Sequence, residues 1–196
     1  MNTFHDWLKV KLFEFKDFDW IYLIKRIIPI REQVINLFTK IKKRSIGDIL
    51  KSIIIYESVH HHNTEKIAKT ISNEINAELI NVRNMKIDDL KNYDLVGFGS
   101  GIYYGKIHKN MKKFIKTIEN VNQQKSFVFT TSGRAKDGFT EKFKELLISK
   151  GFDVISSFSC KGFDTFGPLK LIGGINKGKP NEEDIANAQN FANSLI

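Results

Sequence analysis

The chain has one cysteine, three prolines, fewer acids than bases, and no long uncharged apolar run. Cys160 alone excludes an internal disulfide framework and points to a reducing compartment. The most apolar N-terminal run, WIYLIKRIIPI, is interrupted by Lys25 and Arg26. It falls short of the roughly 20 apolar residues that a membrane-spanning helix needs. Met1 to Phe15 carries scattered charges where a secretory signal would have its apolar segment. The expected location is therefore the cytoplasm. Internal repeats and low-complexity tracts are missing too. Acids are scarce in proportion: 22 Asp and Glu face 31 Lys and Arg, for a net charge of +9. Such a surplus favours anionic partners in general, whether nucleic acid, lipid or an acidic protein, and often is only a solvated face.

What is present suffices for one core. With 196 residues and 41% hydrophobic content, one domain with an appendage is the natural expectation. The character of the chain changes near Lys51. Residues 1–48 hold both tryptophans and show no strand alternation. In them Val34, Leu37, Phe38 and Ile41 follow the i, i+3, i+4, i+7 spacing of an amphipathic helix. Pro29 separates that helix from an earlier piece around Trp20 to Ile24. This extension reads either as a helical appendage packed on the domain or a second subunit, or as a peripheral membrane or protein contact. The second reading rests on Lys40, Lys42, Lys43 and Arg44, which follow the apolar stripe.

From residue 49 onward the pattern is strand–helix alternation. SIIIY (52–56), AELINV (77–82), DLVGFGS (94–100), SFVFTT (126–131) and DVISSFSC (153–160) are short apolar runs expected to form five strands. Between them, NTEKIAKTISNEI places Ile67, Ile71 and Ile75 on one helical face, with Asn63 or Thr64 as the expected N-cap. KIDDLKNY reads as a short polar helix, and HKNMKKFIKTI as a helix opened by His108 with Met111, Phe114, Ile115 and Ile118 inward. GFTEKFKELLISK closes at Gly151, and Asn181 caps EEDIANAQNFANSLI. Five strands alternating with helices predict an α/β fold, a parallel sheet covered on both faces. The segment from Lys161 to Pro180 is left as an aromatic loop, long enough to expect a function.

Ligands of open parallel sheets bind beyond the carboxyl ends of the strands. The first strand ends in Ser58, Val59, His60, His61, His62, Asn63 and Thr64 and passes directly into a helix. A helix N-terminus offers free N–H groups and partial positive charge, and hydroxyls and an amide beside it complete a phosphate cradle. The histidine triplet could instead bind a metal, but consecutive residues point in different directions and no partner stands at ligand spacing. The third strand ends in Gly99, Ser100, Gly101, Ile102, Tyr103 and Tyr104, where glycines allow close approach and two rings offer stacking faces. The fourth ends in Thr131, Ser132, Gly133 and Arg134, and the fifth leads to Phe163 and Asp164. One phosphate end and one broad aromatic end suit a mononucleotide such as FMN. Cys160 reads as a small buried residue.

Residues 52–195 resemble the flavodoxin family. IIIYESVHHHNTEKIA resembles its phosphate loop, DLVGFGSGIYYGKIHKNMKKFI its third strand and first flavin-ring loop, and FVFTTSG its fourth strand and second ring loop. The resemblance implies a doubly wound five-stranded parallel sheet of order 2-1-3-4-5 over residues 49–196, with FMN as cofactor. It implies that Ser58 to Thr64 hold the phosphate, and that Gly99 to Tyr104 and Thr131 to Arg134 flank the flavin ring. The loop departs from the family pattern in being one residue longer and in placing His62 where glycine is common. Three functions stay open: an electron carrier serving a ferredoxin-type or reductase partner, an oxidoreductase acting on a quinone or protoporphyrinogen-type substrate, and a binding module without FMN. The second draws on a similarity of GIYYGKIHKNMKKFI to the menaquinone-dependent protoporphyrinogen oxidases. A nucleic-acid partner is not expected.

Overall fold

A computed structural model describes residues 50–119 and 121–196. The expected helices of residues 1–48 lie outside the described residues. In chain order the elements are β1 (Ser52–Glu57), α1 (Asn63–Ile75), β2 (Glu78–Asn81), a 3-10 turn (Ile87–Asn92), β3 (Leu95–Tyr103) and β4 (Lys106–Ile107). There follow α2 (Lys109–Thr117), β5 (Lys125–Ser132), α3 (Asp137–Ile148), β6 (Asp153–Lys161), a second 3-10 turn (Gly167–Ile172) and α4 (Glu182–Asn193).

The five long strands are parallel and run in the order β2-β1-β3-β5-β6. This is the expected 2-1-3-4-5 arrangement, and the order reverses at β1. The sixth strand was not foreseen. β3 runs three residues past its expected end and folds back on the two-residue β4, pairing Ile102 with Ile107 and Tyr103 with Lys106. A tight turn through Tyr104 and Gly105, both at positive φ, makes that hairpin.

Alternation along the strands sorts the core into two layers. Ile53 and Ile55 of β1, Val96 and Phe98 of β3 and Val128 of β5 face α2 and α3, packing on Met111, Ile115, Phe143 and Leu147. Ile54, Leu95, Phe127 and Phe129 face the opposite way, against Ile67, Ala68 and Ile71 of α1 and Ala188 and Ala192 of α4. Each fully buried isoleucine contributes about 1.5–3 kcal/mol through removal of its side chain from water. A strand buried on both faces has to be apolar at every position, which explains the unbroken isoleucines of β1.

The helix ends show where local signals held and where they did not. Asn181 caps α4 through a full capping box, accepting from Asp184 N while Asp184 accepts from Asn181 N. His108 opens α2, its ring accepting from Asn110 N. At α1 the expected Asn63 or Thr64 cap is replaced by His62, which caps without a side-chain hydrogen bond. Both expected side chains are committed elsewhere: Asn63 Nδ2 donates to Phe163 O, and Thr64 Oγ1 pairs with Thr131 Oγ1. At α3, Gly151 stands two residues beyond the Ser149 cap, at φ 86. The expected loop 161–180 is partly ordered, since β6 extends to Lys161, Asp164 and Ile175 form an antiparallel bridge, and the second 3-10 turn lies between them.

Candidate functional site

β1, β3, β5 and β6 deliver their C-terminal loops to one end of the sheet, and those loops touch. The first runs from Ser58 to α1. Here His61 and His62 both adopt φ 55, the left-handed region. Two successive left-handed residues turn the chain sharply into the helix, and histidine occupies this region more readily than bulky or branched residues. The position where the family favours glycine thus does carry the conformation glycine would supply. The imidazoles face different partners. His61 Nε2 lies 2.7 Å from Thr165 Oγ1, and its ring packs on Phe163 at 4.3 Å between centroids. His62 Nδ1 lies 2.7 Å from Glu65 Oε2, and His60 leans on Tyr103 and Phe166. Among the described residues no group of three His, Cys, Asp or Glu could hold a metal ion.

Under the histidines the loop is polar and enclosed. Thr64 and Thr131 share a buried hydroxyl–hydroxyl hydrogen bond of 2.8 Å, tying the β1 loop to the end of β5. Asn63 ties the same loop to the β6 loop through Phe163 O, and a Cβ at Gly162 would sit 2.6 Å from Asn63 Nδ2. Likewise a Cβ at Gly133 would sit 2.6 Å from Asp164 Oδ2, so two loops close only because glycine stands there. Ser58 Oγ is buried and, among the described residues, has no hydrogen-bond partner. An orphaned buried hydroxyl is costly, and such groups usually mark a site whose partner is a ligand, ion or water. Beside the free N–H groups of α1, it fits a phosphate acceptor.

The remaining sequence-predicted residues divide by exposure. Ser100 is fully buried, its Oγ donating to Gly101 O and accepting from His108 N, so that side chain is spent inside the protein. Gly101 is buried, and Ile102 pairs across the hairpin with Ile107. Tyr103 is half-buried, and burial pushes its phenol up while the nearby backbone N–H groups of His60 and Val59 pull the other way. Tyr104 is exposed at φ 50 and meets Phe166 edge-on at 4.9 Å. Ser132 Oγ accepts from Ala135 N, Arg134 is exposed, and Asp164 Oδ1 accepts from Phe166 N. Val59 is exposed at the rim. Cys160 is buried, its thiol pushed up to about 12 by desolvation, as befits a core residue.

One group escaped the sequence reading. Glu57 is wholly buried at the end of β1, with Arg83 Nη2 2.6 Å from its Oε1 and His108 Nδ1 3.8 Å from the same oxygen. Burial holds His108 below the ordinary imidazole value, with Glu57 pulling the other way. The His108 ring in turn meets Tyr103 edge-on at 5.2 Å. Alternation offered the signal: Glu57 follows Ile53 and Ile55 on one face of β1, a buried position that a carboxylate occupies only with partners.

Comparison with known proteins agrees with this geometry. The Flavodoxin domain model matches residues 53–157. An uncharacterized protein of Methanocaldococcus jannaschii, MJ0298, is 48% identical over 149 residues, spanning 75% of this chain and 99% of that protein. The flavodoxin-like domain-containing protein BilS of Clostridioides difficile is 35% identical over 122 residues, spanning 58% of this chain and 66% of that protein. Among solved structures, oxidised flavodoxin 2 of Bacillus cereus superimposes with a TM-score of 0.59 at 22% identity, over 74% of this chain and 97% of that one. An archaeal flavodoxin gives 0.58 at 20% identity, over 74% and 95%. With its sheet order, its switch-point loops and these matches, the chain belongs to the flavodoxin domain family.

Proposed function

We propose that this protein binds FMN at the C-terminal end of its sheet and carries electrons to or from a protein partner. The observation that carries the reading is the buried, unpartnered Ser58 Oγ at the entrance of α1. Ser58, the α1 N–H groups and the amides of His61 and His62 would hold the phosphate; Thr64 and Thr131 hold the cradle closed. Tyr103, Tyr104 and the 131–134 loop would flank the ring, with Phe163 and Asp164 anchoring the neighbouring loop. Bound FMN would supply the one- and two-electron chemistry, and the protein its orientation and electrostatics. The test is the spectrum of the purified protein. Flavin absorbance, with FMN released on denaturation, supports the reading; a colourless protein that cannot be reconstituted favours a binding module without FMN.

A second reading, an oxidoreductase acting on an organic substrate such as a quinone, draws on Glu57 and His108. A pure carrier needs no proton-holding pair, whereas reduction of an organic acceptor consumes protons. Steady turnover of a quinone by the flavin-loaded protein would favour it over the carrier.

A further inference from the structure

The loops around the site present an unusual surface. Leu171 is 90% exposed, Tyr104 86%, Ile172 71%, Val59 44% and Phe166 38%. Leu171 and Ile172 lie at the tip of the excursion from Asp164 to Ile175, whose base is closed by backbone hydrogen bonds in both directions between those two residues. Phe166, on the same excursion, touches both Tyr104 and His60. The apolar residues therefore share one end of the molecule with the site. A fixed excursion that shows two aliphatic side chains to water is the mark of an interaction surface.

The charges around it are of one sign. The loops 101–106, 132–136 and 161–178 carry Lys106, Arg134, Lys136, Lys161, Lys170 and Lys177 against the single acid Asp164. Asp164 already accepts from Phe166 N. Among the described residues Lys106, Arg134, Lys161, Lys170 and Lys177 are exposed and enter no ion pair. Lys69, Lys144 and Lys179, by contrast, pair with Glu65, Glu141 and Asp184. Unpaired like charges ringing an apolar centre mutually repel, and an oppositely charged surface relieves them while burying the centre.

We infer that the Leu171–Ile172 tip with Tyr104, ringed by Lys106, Arg134, Lys161, Lys170 and Lys177, is the docking surface for an acidic electron-transfer protein. The aliphatic tip supplies the contact, and the basic ring supplies steering and orientation. The inference deepens the carrier reading by giving its partner a chemistry. The placement at the strand ends brings that partner to the edge where electrons would leave or enter.

The test is calorimetric titration of the full chain with a strongly acidic [2Fe–2S] ferredoxin, and in parallel with a basic cytochrome c. The ferredoxin is expected to bind, with affinity falling about tenfold or more between 50 and 300 mM salt as screening shortens to a few ångströms. Leu171→Ser with Ile172→Ser is expected to weaken it roughly tenfold with the salt dependence kept. Lys161→Glu with Lys170→Glu and Lys177→Glu is expected to abolish it, circular dichroism reporting that both variants stay folded. Equal binding of cytochrome c, salt-independent binding, or indifference to both variants overturns the inference. So does transfer of the same dependence to phosphatidylglycerol vesicles, or a photo-crosslink from position 172 to residues 1–49 of the same chain. Binding requires no flavin, so ferredoxin binding by a chain that cannot hold FMN would sink the carrier reading and leave the docking surface. Flavin-loaded protein exchanging electrons equally with either partner would do the reverse.

Discussion

Arg83, 59% exposed, reaches over the end of β1 to place Nη2 2.6 Å from Oε1 of Glu57, a carboxylate 0% exposed. The pair is asymmetric: one partner is solvated and the other is not. Removing the solvated member strands a buried charge, and removing the buried member leaves only a surface arginine. Arg83→Ala is therefore expected to lower the thermal midpoint more than Glu57→Gln does, and adding Glu57→Gln to Arg83→Ala should restore part of the loss. Thermal melts of the three variants check this; equal effects of the two single changes would mean that the carboxylate finds compensation elsewhere.

The orphaned Ser58 hydroxyl makes two opposite demands. Without ligand, Ser58→Ala removes an unsatisfied buried polar atom and is expected to raise stability by about 1 kcal/mol. With FMN it removes a donor to a charged group, which predicts a dissociation constant roughly 10- to 100-fold higher. Riboflavin, which lacks the phosphate, should bind both proteins alike. Fluorescence quenching titrations with FMN and riboflavin distinguish the two, and a parallel loss for both ligands would place Ser58 away from the phosphate.

His62 stands at φ 55, and the side chain rather than the backbone is replaceable there. His62→Gly keeps the left-handed turn at no steric cost and is expected to change stability little, losing only the exposed contact with Glu65. His62→Val forces a β-branched residue into the same region and should cost about 1–2 kcal/mol. Urea melts of both variants decide whether the loop requires the backbone geometry or the imidazole.

His108 sets a pH dependence whose sign follows from its environment. Burial lowers its folded value below the ordinary 6.5, so in acid the unfolded chain takes up a proton before the folded one does. Stability is expected to fall as pH drops below about 6.5, levelling off once the folded imidazole protonates. Glu57 favours the charged ring, while Arg83, Lys109 and His60 oppose it. His108→Gln should remove this slope between neutral and mildly acidic pH; a melting-temperature profile unchanged by the substitution would assign the slope to other groups.

Much of the fold could be read from local pattern, because each of the five long strands is a short apolar run and the helices repeat apolar residues at helical spacing. The unbroken SIIIY and the four-residue spacing of Ile67, Ile71 and Ile75 admit few other arrangements once both faces of a sheet must be covered. The loops at the strand ends could be located for the same reason, and they are where such sheets leave backbone groups free. The cap of α1 could not be read. Asn63 and Thr64 are good capping residues, but their side chains are taken by Phe163 and Thr131, which lie far away in sequence.

The sequence by itself thus determined the alternation of elements, the two-faced core and the family, because hydrophobic periodicity and loop motifs are local. The tertiary structure alone decided that Glu57 is buried beside Arg83 and His108, that Ser58 Oγ is orphaned, and that the Asp164–Ile175 excursion lifts Leu171 and Ile172 into solvent. Those facts depend on which distant loops meet at the sheet's end, and no local spacing records which buried polar group is left without a partner.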